Sequence, residues 1–144
     1  MPLLEKLDLS DGSVIDVSPL FHCKKLKRLH LRNNQGIEDL SPLCRCPNLE
    51  ELDISALPLI KDLSFFEKGF TKLRVLKFRC LPVDDLSPLT RLKNLQMLAC
   101  HSVPQTTSLL PLARCYKLKV IVCSKNAMDL AELRERRPDL EISW

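Results

Sequence analysis

The sequence predicts an α/β solenoid: a stack of short coils, each a strand, a turn, a helical segment and a return, with the strands joined in one parallel sheet. Three observations point to it. Asp16, Asp39, Asp62 and Asp85 fall at a constant 23-residue step, inside the phrases DVSPL, DLSPL, DLSFF and DLSPL. Blocks LEKLDL, LKRLHL, LEELDI, LRVLKF, LQMLAC and LKVIVC begin at Leu4, Leu26, Leu49, Leu73, Leu95 and Leu118, at steps of 22, 23, 24, 22 and 23 residues. Within each block the fourth and sixth positions alternate with polar or variable residues, the period of a strand that buries one face. Self-similarity at 20–50 residues marks a repeat architecture, in which one coil cannot bury its apolar face alone and stacked neighbours share a core.

Each block is therefore read as a short strand. The DLSPL phrase is read as the entry to a helix or 3₁₀ turn on the opposite side of the coil. Ser18, Ser41, Ser64 and Ser87 suit the N-cap, where a hydroxyl accepts a backbone N–H, and Pro19, Pro42 and Pro88 suit the first helical position. Ser64 with Glu67 has the spacing of a capping box. The Asp column places negative charge near the positive end of each short helix.

The ends differ from the middle. AMDLAELRERRPDLEISW carries Leu130 and Leu133 at helical spacing, charges at Glu132, Arg134, Glu135, Arg136 and Arg137, and a stop at Pro138. It predicts a longer, polar-faced helix and a last short strand at Leu140 and Ile142. One domain, 1–144, is expected, with about six repeats over 1–126 and a capping helix and strand over 127–144. A block begins at Leu4 with no amphipathic helix or hairpin before it. The expectation is that Met1 lies at a cut inside a longer protein or that a partner covers the first coil.

The six blocks in phase, with LKRLHLRNN the fullest match to L-x-x-L-x-L-x-x-N, resemble the leucine-rich repeat family over essentially the whole chain. The resemblance implies a right-handed solenoid or horseshoe with a concave parallel sheet and short outer helices or 3₁₀ turns. It also implies recognition of partners on the concave face. The 22–23-residue coils are similar to internalin and phosphatase-regulator repeats. The Asn column is patchy: Asn34 and Asn126 fit it, whereas Leu57, Leu81 and Val103 occupy the equivalent positions, each followed by proline.

Composition narrows the class. The chain has 144 residues, 45% hydrophobic and 28% charged, which is globular rather than disordered. The net charge of +4 is a mild excess. No run of about 18 uncharged apolar residues is present, so no membrane span is expected, and the opening MPLLEKLDLS lacks signal-peptide layout. Seven cysteines without a signal peptide suggest reduced thiols in a cytoplasmic or nuclear protein. Cys23, Cys46 and Cys115 share a column with Phe70 and Leu92, and Cys100 and Cys123 replace the last Leu of their blocks, so these five read as core. Cys44 and Cys46 are spaced too closely for a structural zinc site, and no metal or cofactor is expected. Cys44 and Cys80 fall in less buried columns.

No catalytic set converges. Three glycines form no phosphate loop, and Cys100 and His101, as adjacent strand residues, point to opposite faces. The function expected is a non-catalytic protein-interaction module or scaffold. On the outward face the middle column runs Asp8, His30, Asp53, Lys77, Ala99, Val122 and Glu141. One neighbouring column runs Lys6, Arg28, Glu51, Val75, Met97 and Val120; the other runs Ser10, Arg32, Ser55, Arg79, His101 and Ser124. Opposite charges adjoin in the first half, as Arg28 beside Glu51 and His30 beside Asp53. In the second half Val75, Met97, Ala99, Val120 and Val122 are expected to form an apolar patch edged by Lys77, Arg79 and His101, suited to an apolar protein segment with acidic flanks. The alternative is a basic edge of Lys25, Lys27, Lys72, Arg74, Lys93, Lys117 and Lys119, binding RNA or an acidic surface within a larger complex, although no aromatic residues are interleaved there for base stacking.

Overall fold

The computed structural model describes residues 3–144; Met1, and with it the expectation about the chain's start, lies outside the described residues. Seven strands form one parallel sheet in sequence order: β1 (Lys6–Asp8), β2 (Arg28–His30), β3 (Glu51–Asp53), β4 (Val75–Lys77), β5 (Met97–Cys100), β6 (Val120–Cys123) and β7 (Glu141–Ser143). Opposite the sheet stand 3₁₀ helices at Ser18–His22, Ser41–Arg45, Ser64–Glu67, Ser87–Arg91 and Leu110–Arg114. This is the solenoid of parallel strands and short outer turns that the repeat pattern predicts.

The core is the set of leucines the blocks align. Leu29, Leu52, Leu76, Leu98 and Ile121 are register partners along the sheet, and each is fully buried. Leu26, Leu49, Leu73, Leu95 and Leu118 form a second buried row, and Leu43, Phe66, Leu89 and Leu112 close the interior from the 3₁₀ side. The 24-residue step from Leu49 to Leu73 keeps register because the extra residue is absorbed before Phe70. There Lys68 is extended and Gly69 and Phe70 both take positive φ, at 76° and 54°. A Cβ on Gly69 would stand 2.6 Å from the Cys44 carbonyl oxygen, so glycine is required.

The DLSPL phrase works differently from its first reading. Ser18, Ser41, Ser64 and Ser87 are the first helical residues, not the caps, and their hydroxyls cap nothing. The aspartate two residues earlier is the capping group: Asp39 accepts the Ser41 N–H at 2.8 Å and the Ser41 hydroxyl at 2.9 Å. Asp16, Asp62 and Asp85 repeat the arrangement on Ser18, Ser64 and Ser87. A charged acceptor outcompetes a neutral one for the same donors. Pro19, Pro42 and Pro88 are consequently second in their turns, and Ser64 and Glu67 form no reciprocal box.

A second column was not visible in the sequence. Asp11, Asn33, Ala56, Cys80 and Ser102, each just past a strand, have φ between 53° and 58°. The first four donate their N–H to the next coil, to the carbonyls of Arg32, Ser55, Arg79 and His101. Asn34 follows at the first of these turns, fully buried, its amide bound to the Leu9 and Leu31 carbonyls while its Oδ1 accepts the Val14 N–H at 2.9 Å. Leu57 and Leu81 fill the same slot with apolar volume at 0% and 1% exposure. Asn126, expected to join Asn34, is exposed instead.

The ends contrast. Leu4, Leu7, Leu9 and Val14 of the first coil are only partly buried, and Leu3 and Ile15 are exposed. At the other end α1 (Leu130–Arg136) spans two turns, inserts Leu133 into the core and turns its charges to solvent. Arg137 takes the place in the column held elsewhere by Cys23, Cys46 and Cys115. It donates to the Cys115 and Leu118 carbonyls at 3.0 and 2.9 Å, with Asp139 pairing its guanidinium at 2.7 Å.

Candidate functional site

Strand alternation sends every second side chain of β1–β7 to the outer face of the sheet, and parallel pairing aligns them in rows. One row is Lys6, Arg28, Glu51, Val75, Met97, Val120 and Glu141; the next is Asp8, His30, Asp53, Lys77, Ala99, Val122 and Ser143. Glu141 therefore belongs beside Val120 and not beside Val122, because β7 pairs at an offset of 21 residues from β6 rather than the repeat's usual step.

The first half of this face is a charge network centred on Glu51. Its carboxylate lies 3.0 Å from His30 Nε2, 3.7 Å from Arg28 and 3.9 Å from Lys77, and His30 Nδ1 is 3.8 Å from Asp8. The ring of His30 turns to Glu51 rather than to its register partner Asp53. The Asp53 carboxylate is occupied by the Ser55 N–H two residues along its own chain, at 2.9 Å.

The second half is apolar. Val75, Met97 and Val120 are consecutive register partners, and each is half-buried, as is Val122 in the next row. Leu118 and Ile121 point inward at 1% and 0% exposure, which settles the register. Ala99 corrects the expected patch: between the longer side chains of Lys77 and Val122 it is only 2% exposed, so it is floor and offers no contact. Lys77 borders the patch toward Glu51; Arg79 is exposed and His101 half-buried on the side where the strands end.

The basic residues lie along the opposite edge, where the strands begin, and all seven are exposed. Carboxylates are interleaved with them. Lys27 pairs with Glu5 at 3.3 Å and Arg74 with Glu50 at 3.1 Å, while Lys72 and Lys117 donate to the side chains of Asn48 and Asn94. One aromatic ring does stand there: Tyr116, beside Lys117, is 79% exposed.

The thiols divide as their columns imply. Cys23, Cys46, Cys100, Cys115 and Cys123 are buried, Cys44 is intermediate and Cys80 exposed. Burial pushes Cys100 up to about 12 and Cys115 up to about 11, so neither is a thiolate at neutral pH. Among the described residues no group of three or more His, Cys, Asp or Glu is placed to hold a metal ion, and no helix is long and apolar enough to cross a membrane.

Comparison with known proteins bears on the fold. The family described as leucine-rich repeats (2 copies) matches residues 2–44 and 24–68. No curated protein matches the sequence. Similar solved structures include an internalin (inlF) of Listeria monocytogenes, with a TM-score of 0.80 and 24% identity, covering 93% of this chain and 39% of the internalin. Internalin C2 of the same organism gives a TM-score of 0.75 and 26% identity, over 97% of this chain and 61% of that one. A leucine-rich repeat protein of Leptospira interrogans gives 0.74 and 21%, over 98% and 37%. The chain thus spans between about a third and two thirds of the length of these neighbours. With the family's repeats matched over residues 2–68 and the same coil continuing unbroken through β6, the chain has the fold of a leucine-rich repeat solenoid.

Proposed function

We propose that this chain is a non-catalytic protein-interaction module that captures a protein segment on the second half of its sheet face. The observation that carries the reading is the run of Val75, Met97 and Val120, aligned on adjacent strands and half-exposed, with Val122 beside it. A contiguous apolar area held on a rigid sheet and rimmed by polar groups suits a docking surface better than solvent. Lys77, Arg79 and His101 along its border favour a segment with an apolar anchor and acidic flanks. The unpaired cysteines, five of them buried, support a reducing setting, the cytoplasm or nucleus.

The test is capture by the full chain against a Met97→Asp, Val122→Asp double variant, with mass spectrometry of what each retains. Partners held by the first and lost from the second, at unchanged far-UV circular dichroism, are the expected result. Equal recovery by both proteins would refute this placement. A salt-dependent gel shift with RNA, insensitive to the double variant, would favour the basic edge with Tyr116 instead.

A further inference from the structure

The stack is uniform until its fifth and sixth coils, where two regular features stop together. Ser102 is the last member of the positive-φ column, and its N–H finds no backbone carbonyl; it reaches the Ser124 hydroxyl at 3.3 Å. The interior slot filled by Asn34, Leu57 and Leu81 is held there by the shorter Val103, only half-buried, while Asn126 has turned out to solvent. The space that opens is a cleft of about 230 Å³ at the strand ends. That is below the ~300 Å³ where small-molecule sites begin, and is a volume for one or two side chains.

Its chemistry selects the occupant. Val103, Leu109, Ala127 and Met128 supply apolar walls, with the Cys100 thiol among them. Thr107, the buried polar residue of the lining, already donates its hydroxyl to the Val83 carbonyl at 2.9 Å. Ser102, Gln105, Ser124 and Asn126 line the solvent side, whereas on the floor, formed by the buried Cys100, Thr107 and Leu109, no side-chain nitrogen or oxygen lacks a partner, so the floor asks for an apolar group. Its lip carries Lys125, and Arg79 is exposed on the same strand-end side of the sheet, outside the cleft; among the described residues neither has a carboxylate within 4.0 Å. Ser124, two residues past Val122 and just beyond the end of β6, lines the cleft and so joins it to the sheet face.

We infer that the cleft takes an aliphatic side chain from an acidic, extended segment of a protein partner, the segment crossing Val120 and Val122 and turning over Ser124. The inference rests on the docking surface proposed above and adds the anchor that fixes which segment is read. An acidic backbone approaching Lys125 and Arg79 brings the charge the rim lacks, and the anchor removes apolar area from water at both ends of the contact.

Two short peptides test it, acetyl-Asp-Asp-Leu-Asp-Asp-amide and its alanine counterpart, titrated into the full chain. Amide shifts in ¹⁵N spectra are one readout, and emission of Trp144, whose ring lies 5.5 Å from the Lys125 ammonium, is the other. The leucine peptide should move the Ser102, Lys125 and Asn126 amides and bind about tenfold tighter than the alanine peptide, the ratio expected for a few buried methylenes. Ala127→Phe, which fills the cleft, should erase that ratio, and Lys125→Glu, on an exposed side chain, should weaken both peptides. Equal binding of the two peptides, or a ratio that survives Ala127→Phe, overturns the inference. If Met97→Asp abolishes partner capture while Ala127→Phe leaves it intact, the sheet-face reading stands and the cleft falls. Peptide binding at the cleft with capture indifferent to Met97→Asp would keep the cleft and remove the sheet face.

Discussion

Asp39 grips Ser41 twice, taking its backbone N–H at 2.8 Å and its hydroxyl at 2.9 Å, so one carboxylate sets both the first turn of the 3₁₀ helix and the direction of the chain entering it. Asp39→Ala removes both bonds and should destabilise the fold by about 1 kcal/mol, the usual loss for a deleted helix cap. Ser41→Ala keeps the backbone bond and should lose less than half as much. Urea midpoints for the two variants check the order; a larger loss for Ser41→Ala would restore serine as the cap.

The same geometry makes stability sensitive to acid. Hydrogen bonds from Ser18, backbone then hydroxyl, hold Asp16 below the ordinary carboxylate value, and those from Ser64, hydroxyl then backbone, do so for Asp62. A carboxylate whose folded value is depressed contributes stability that is complete above its unfolded value and disappears as pH falls through the folded one. Stability should therefore be flat from pH 7 to about pH 5 and decline below ~4. An Asp16→Asn, Asp62→Asn double variant, which still offers an oxygen to each N–H, should show a shallower acid decline in thermal melts at pH 3, 4 and 7.

Asn34 supports a different kind of contact, because its buried amide serves two coils at once through Leu9, Leu31 and Val14. Asn34→Ala strands those groups away from water and should lose on the order of 3 kcal/mol. Asn34→Leu copies what Leu57 and Leu81 do in later coils, yet leaves the Val14 N–H without its acceptor, so it should recover only part. Full recovery in chemical denaturation would show that volume, and not hydrogen bonding, sets this position.

The strands, the buried leucine rows and the five core cysteines were legible because each depends on a short period in the chain. What was not legible depends on neighbours. The positive-φ column uses Asp11, Asn33, Ala56, Cys80 and Ser102, none a glycine, because a hydrogen bond to the next coil imposes the conformation. His30 turns to Glu51, at 3.0 Å, rather than to its register partner Asp53, a choice among carboxylates that pairing columns cannot display. Ala99 is the same lesson in the candidate site: its column was read correctly, but its burial follows from the length of Lys77 and Val122 on either side.

Reactivity of the thiols separates these two kinds of position in one experiment. Cys80 is exposed and Cys44 intermediate, while the other five are buried, with Cys100 pushed up to about 12 and Cys115 to about 11 by loss of solvent. The reacting species is the thiolate, so both access and ionisation oppose modification inside the core. With a maleimide at pH 7, intact-mass spectrometry should show one fast addition at Cys80, a slower one at Cys44, and the remaining five only after denaturant is added. Cys100 and Cys123 are partners on adjacent strands and turn inward under the patch-bearing face, so their protection also reports on the sheet beneath Met97 and Val122. If Cys123, which unlike Cys100 does not line the cleft, labels as fast as Cys80 in the native protein, the β5–β6 pairing opens on the labelling timescale, and the rigid floor required of the docking surface is absent.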